Sequence, residues 1–174
     1  DGRAVSKAQQ WQERRRAQII ALFEQHVYGR TPNAPVTVRA ETTAVANALN
    51  GQAIRKEITL HFAGNGAEAA LHLLVYLPAA ATQPVPIFLG LNFYGNHTIH
   101  TDPGITLSTA WMRDNEDYGV RNNRASEASR GVAASRWPVE RILARGYGIA
   151  TAYYGDLDPD FDDGFQNGVH PLFY

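Results

Sequence analysis

The sequence predicts an α/β fold in which antiparallel strands lead into a parallel β-α-β unit. Three observations carry that reading. Two segments of alternating polar and apolar residues, 54–62 and 71–77, flank Gly64-Asn65-Gly66, and Asn and Gly accept the positive φ angles of a two-residue hairpin turn. Of two short strand-like runs, 87–91 and 148–154, the first lacks polar alternation, as a strand covered on both faces does. Between those runs stands a helical pattern at 137–145, and strand, helix, strand makes a right-handed parallel crossover.

At 174 residues, with 44% apolar and 19% charged residues, the chain is suited to one packed domain or part of a larger one. A formal net charge of −1 gives no general attraction to nucleic acid or to an anionic membrane. Cysteine is absent, which removes disulfides, thiolate metal sites and a cysteine nucleophile together. No apolar run reaches the length of a membrane span or of a signal-peptide core.

Taken in order, residues 6–28 form the first expected helix. Trp11, Ile19, Ile20, Leu22, Phe23 and Val27 recur at three- and four-residue steps, Gly29 stops the helix and Pro32 prevents its resumption. Arg14-Arg15-Arg16 lies off that stripe and is expected on a solvated face. Residues 36–45 alternate loosely as a first strand. In the hairpin that follows, His61 and His72 share the outward parity. They are expected as surface histidines, a two-histidine metal site across the hairpin being the lesser reading. Residues 98–135 have no sustained periodicity. So long an insertion is unusual in a compact domain, and Trp111, Met112 and Tyr118 within it suit either a cleft wall or tethers to the core. In the helix at 137–145, Pro138 fits the first turn, Val139, Ile142 and Leu143 form the apolar face, and Gly146 ends it.

The stretch with the sharpest change of chemistry runs through residues 84–97. The apolar run at 87–91 opens at once into Asn92, Phe93, Tyr94, Gly95, Asn96 and His97. Ligands of open α/β sheets bind just beyond the carboxyl ends of central strands, so this loop is the expected site, an ordinary polar turn being the competing reading.

Five aspartates, Asp156, Asp158, Asp160, Asp162 and Asp163, follow the last strand. An EF-hand fails at its sixth position, Phe161, and at its twelfth, Asn167. Capping and backbone hydrogen bonding are preferred there over an irregular calcium site. No G-x-S-x-G elbow occurs. A triad of Ser108, His97 and Asp102 would place all three groups on one unpatterned loop, where a scaffold is lacking. The sheet as drawn ends on the strand at 148–154 with an uncovered edge, so the chain reads as the first half of a larger domain.

Several blocks together resemble a known family. They are Gly90-Leu91-Asn92-Phe93-Tyr94-Gly95-Asn96-His97, Asp102-Pro103, Arg130-Gly131, Ser135-Arg136-Trp137-Pro138-Val139-Glu140 and Arg145-Gly146-Tyr147-Gly148-Ile149-Ala150-Thr151. Tyr153-Tyr154-Gly155-Asp156, Pro159-Asp160 and Gly168-Val169-His170-Pro171-Leu172-Phe173 continue the series. In order and spacing they resemble the N-terminal half of glucuronoyl esterases, carbohydrate esterase family fifteen, and the bacterial members most.

The resemblance implies an α/β-hydrolase fold, a three-layer sandwich, of which residues 1–174 would be the N-terminal half of a single domain. It implies a secreted or periplasmic serine esterase cleaving the ester between 4-O-methyl-glucuronic acid of xylan and lignin alcohols. The partners implied are a glucuronoxylan or lignin–carbohydrate ester and the remaining C-terminal part of the domain, with no cofactor, metal, nucleic acid or membrane. The family's serine elbow, acid and histidine belong beyond residue 174, so no catalytic residue is assigned to this chain, and His170 is no stand-in for the histidine. Asn92 to His97 would form the substrate-binding or oxyanion-side loop, and Tyr118 a cleft wall. An acetyl xylan esterase on the same fold and a non-catalytic carbohydrate-binding domain using Tyr94, Tyr118 and Tyr154 are the alternatives.

Overall fold

A computed structural model describes residue 2 and residues 4–173. The chain divides into two compact units, Asp1–Asn33 and Ala34–Tyr174.

In the first unit, residues 8–28 are helical and Gly29, at φ 71°, ends the run as expected. The helix is not uniform. α-Helical Arg16–Phe23 lies between π-helical turns at Trp11–Arg15 and Glu24–Tyr28. Each wide turn shifts the side-chain register, so Trp11 and Val27 do not extend a straight stripe. None of its described residues is buried, and Leu22, Phe23 and Val27 are exposed. Arg14 and Arg16 are exposed and Arg15 half-buried.

The second unit is built on a five-stranded mixed sheet. Its strands are β1 (Thr37–Asn47), β2 (Ala53–Gly64), β3 (Ala67–Pro78), β4 (Ile87–Asn92) and β5 (Gly148–Tyr153), in the order β1-β2-β3-β5-β4. The first three form an antiparallel meander, β5 runs antiparallel to β3, and β4 pairs in parallel with β5. The hairpin expected at Asn65-Gly66 is present, with φ of 50° and 73° and Gly64 opposite Ala67. Replacing Gly66 with alanine forces a Cβ into the left-handed region and will cost about 1 kcal/mol, read as a lower urea midpoint.

Two expectations about the sheet are corrected. The strand at 87–91 is not covered on both faces: β4 is the outermost strand, with Phe88 58% and Leu89 73% exposed. The uncovered edge therefore belongs to β4 and not to 148–154. The crossover carries the chain back inward, and β5 inserts between β3 and β4, where all six of its residues are buried.

The helical pattern at 137–145 folds as a shorter helix, Val139–Leu143, with Pro138 just before it at the cap. Helix and insertion cover one sheet face, where Leu74, Tyr76 and Ile149 pack against Ile99, Ile105, Val139 and Leu143. This face includes the polar parity of β2 and β3, and its burial has a polar solution. Asp102 Oδ2 accepts from Arg55 Nη1 at 2.5 Å and from Tyr76 Oη at 2.6 Å, while Asp102 Oδ1 accepts the Gly104 N–H. Burial pushes the Asp102 carboxyl up, but those three donors hold it below its ordinary range overall.

The hairpin histidines do not face each other. His61 lies opposite Ala70 and His72 opposite Thr59, because the two-residue turn offsets them by two positions. His61 Nε2 lies 3.5 Å from Glu41, and His72 Nδ1 lies 3.0 Å from Asp156.

Candidate active-site edge at the end of β4

β4 and β5 end side by side, with Asn92 in register with Tyr153. The loop after β4 and the acidic segment after β5 therefore leave the sheet at one edge, as the sequence predicts.

The six loop residues take different positions. Asn92 is buried, and its Nδ2 donates to Asn96 Oδ1 at 2.7 Å and to Thr151 Oγ1 at 3.1 Å. Asn96 Nδ2 donates to the His72 carbonyl, which can only accept, and this fixes both amide orientations. Asn92 Oδ1 is left buried with no partner among the described residues. Gly95 sits at φ 92°, and a Cβ there would fall 2.8 Å from the His97 ring, so the turn needs glycine.

His97 points into the protein and not toward a cleft. It is fully buried, with Nε2 2.8 Å from Ser129 Oγ, and its carbonyl accepts the Gly131 N–H. Burial, then the nearby Arg130 guanidinium, lower its pKa to about 4. Asp102 is committed to Arg55 and Tyr76, so Ser108, His97 and Asp102 form no triad.

Phe93 turns outward, while Tyr94 is half-buried against Met112, Val120 and Tyr153. Tyr94 stacks on Tyr118 with ring centroids 4.4 Å apart, and its hydroxyl accepts from Asn115 Nδ2 at 2.9 Å. Phe93 leans on Tyr154 at 5.2 Å. Asn92, Phe93, Tyr94, Tyr118, Arg136 and Trp137 line a cleft of about 340 Å³. The structure thus brings Tyr118 to the loop, whereas Asn96 and His97 lie elsewhere. Met112 and Val120 are buried against Tyr153, so this part of the insertion is tethered to the core.

Sequence reasoning missed Arg136 and Trp137 as cleft residues. For Trp137 the signal lay in Gly90, the one β4 residue without a side chain, since a Cβ there would meet Trp137 at 3.4 Å. In the acidic segment, Asp162 Oδ1 accepts the Gly164 N–H, Asp163 Oδ1 accepts the Gln166 N–H, and Arg113 pairs with Asp160 at 2.9 Å. Among the described residues no three His, Cys, Asp or Glu side chains are grouped to hold a metal ion.

No protein-family model matches the chain. A curated carbohydrate esterase, MZ0003, from an unknown prokaryotic organism is 45% identical over 174 residues, all of this chain and 40% of that protein. A promiscuous CE15 esterase from a marine bacterial metagenome superposes with a TM-score of 0.84 at 44% identity, over 100% of this chain and 43% of that one. The chain is similar to a CE15 esterase over its whole length. A glucuronoyl esterase from Solibacter usitatus gives a TM-score of 0.85 at 44% identity over 99% of this chain and 43% of its own. A CE15 glucuronoyl esterase from Teredinibacter turnerae gives 0.63 at 25% identity, over 99% and 37%. The chain thus spans about two fifths of the length of these CE15 relatives.

Proposed function

We propose that residues 1–174 are the N-terminal half of one α/β-hydrolase domain in a serine esterase that cleaves glucuronoyl esters joining xylan to lignin alcohols. The observation that carries this reading is β4. It ends at the aromatic cleft, yet among the described residues its outer edge is unpaired and Phe88, Leu89 and Leu91 are exposed. An apolar parallel strand in this state calls for a further strand beside it. In a hydrolase sheet that neighbour bears the nucleophile, and the loop after β4 faces it.

The reacting serine, its histidine and its acid then come from beyond residue 174, and no residue of this chain takes those roles. Backbone N–H groups of the Asn92 loop would donate to the oxyanion, each worth about 3 kcal/mol in the transition state. The Asn92–Asn96–His72 chain of hydrogen bonds holds that loop in place. Phe93, Tyr94 and Tyr118 offer flat faces to a sugar ring or an aromatic alcohol. A polymeric xylan–lignin substrate cannot cross a membrane, which places the enzyme outside the cytoplasm. Among the described residues no helix is long and apolar enough to span a bilayer.

The test is hydrolysis of a benzyl ester of glucuronic acid. The protein extended beyond residue 174 will cleave it and will be silenced by a serine-directed phosphonate, while residues 1–174 alone will not cleave it. Serine-dependent turnover by residues 1–174 overturns the assignment. One relative is described as promiscuous, so acetylated xylan belongs in the same assay.

A further inference from the structure

A second cleft, of about 490 Å³, lies over β1–β3, bounded by residues 106–110 and by the end of β5. That volume is in the range of small-ligand sites, about 300–1,000 Å³. Among the described residues Glu41, Glu57 and Asp156 supply three carboxylates, His72 is the one basic side chain in the lining, and no lysine or arginine lines it. Hydroxyls of Thr43, Thr59, Thr106, Ser108 and Thr109 stand among them.

All three carboxylates are held, Glu41 by the Arg39 guanidinium and by His61 Nε2 at 3.5 Å. Glu57 accepts from the Thr106 N–H at 2.8 Å and from Thr106 Oγ1 at 3.0 Å. Asp156, almost wholly buried, accepts from the His72 N–H and lies 3.0 Å from His72 Nδ1 through the same oxygen. This bond orients the imidazole and leaves Nε2 as its free nitrogen on an exposed side chain. Asn96 lines this cleft and Asn92 the first, and the hydrogen bond between their side chains is where the two approach each other.

We infer that this second cleft is a subsite for an uncharged, polyhydroxylated ligand, a stretch of neutral sugar chain running on from the ester-binding cleft. Three carboxylates leave the cleft acidic even with Arg39 paired to Glu41 and His72 beside Asp156, which disfavours a uronate or phosphate, and an apolar ligand would strip them of water without return. Sugar hydroxyls reverse both objections, donating to Glu41, Glu57 and Asp156 and accepting from the threonine hydroxyls. The identification of the sugar as a xylan backbone rests on the esterase reading above; the preference for a neutral polyol does not.

The probe is a neutral xylo-oligosaccharide, titrated calorimetrically into the protein carrying its downstream segment. Thr43 is exposed on β1, so Thr43→Trp fills the cleft without disturbing the core. Binding will weaken about tenfold or more in Thr43→Trp, and by a smaller factor in Glu41→Gln, as for the loss of hydrogen bonds to a charged group. KM for an ester carried on a xylan oligosaccharide will rise about tenfold more than KM for the benzyl ester. No binding by the parent, equal binding by Thr43→Trp, or preference for an organic cation that fades with salt each overturns the subsite. A protein that binds the oligosaccharide, loses it in Thr43→Trp and cleaves no glucuronoyl ester would refute the esterase reading and leave the subsite standing.

Discussion

Replacing Arg55 with methionine will destabilise the protein by about 3–5 kcal/mol, the usual consequence of removing one partner from a buried ion pair. The Asp102 side chain is 9% exposed and that of Arg55 11%, so water cannot take over the lost contact. Asp102 keeps Tyr76 Oη and the Gly104 N–H, which places the effect toward the lower end of the range. The damage will not stay local. Asp102 anchors the insertion that covers Leu74 and Tyr76, and Arg130 Nη1 donates to the carbonyls of both Asp102 and Ile105. A urea titration of Arg55→Met should therefore show a lower midpoint together with faster amide exchange at residues 99–105. A variant within about 0.5 kcal/mol of the parent, the range of ordinary surface changes, would show that the network does not hold the layer.

The second large effect is a loss of stability in mild acid through His97. Its ring stays neutral in the folded protein down to about pH 4, whereas in the unfolded chain it titrates near 6.5. Between those values the unfolded state binds the extra proton, so stability falls as pH drops from about 6.5 toward 4. The whole window is worth about 3 kcal/mol. The check is the difference in unfolding free energy between the parent and His97→Gln at pH 7, 6, 5 and 4.5. That difference should shrink as the pH falls, and a constant difference would mean that the ring is already charged or solvated in the fold.

Local signals in the sequence were enough for the hairpin and for the parallel pair. Asn65-Gly66 sets its own turn, and 87–91 and 148–154 pair because both are short apolar runs joined by a helix. Strand order was not local. Nothing in the residues of β5 says that it lies inside β4, since that depends on where the returning chain finds an apolar neighbour, here β3. The burial of Arg55 was hidden for the same reason, because its partner Asp102 is 47 residues away in a segment without periodicity.

At the loop after β4, the change from apolar to polar residues marked where the strand ends. It did not say which side chains turn outward. Gly95 directs His97 inward, and Asn96 is drawn to the carbonyl of His72 on β3. Trp137 reaches the cleft across Gly90, a contact visible only once a strand and a segment about 47 residues later are packed together.

The most direct test is amide hydrogen exchange along β4. If this strand is the seam at which the rest of an esterase sheet is added, its N–H groups pointing away from β5 will exchange rapidly in residues 1–174. In the protein extended beyond residue 174 the same groups will slow by about a hundredfold or more. Equal rates in the two proteins would contradict the account, because β4 would then be a true edge of the finished sheet.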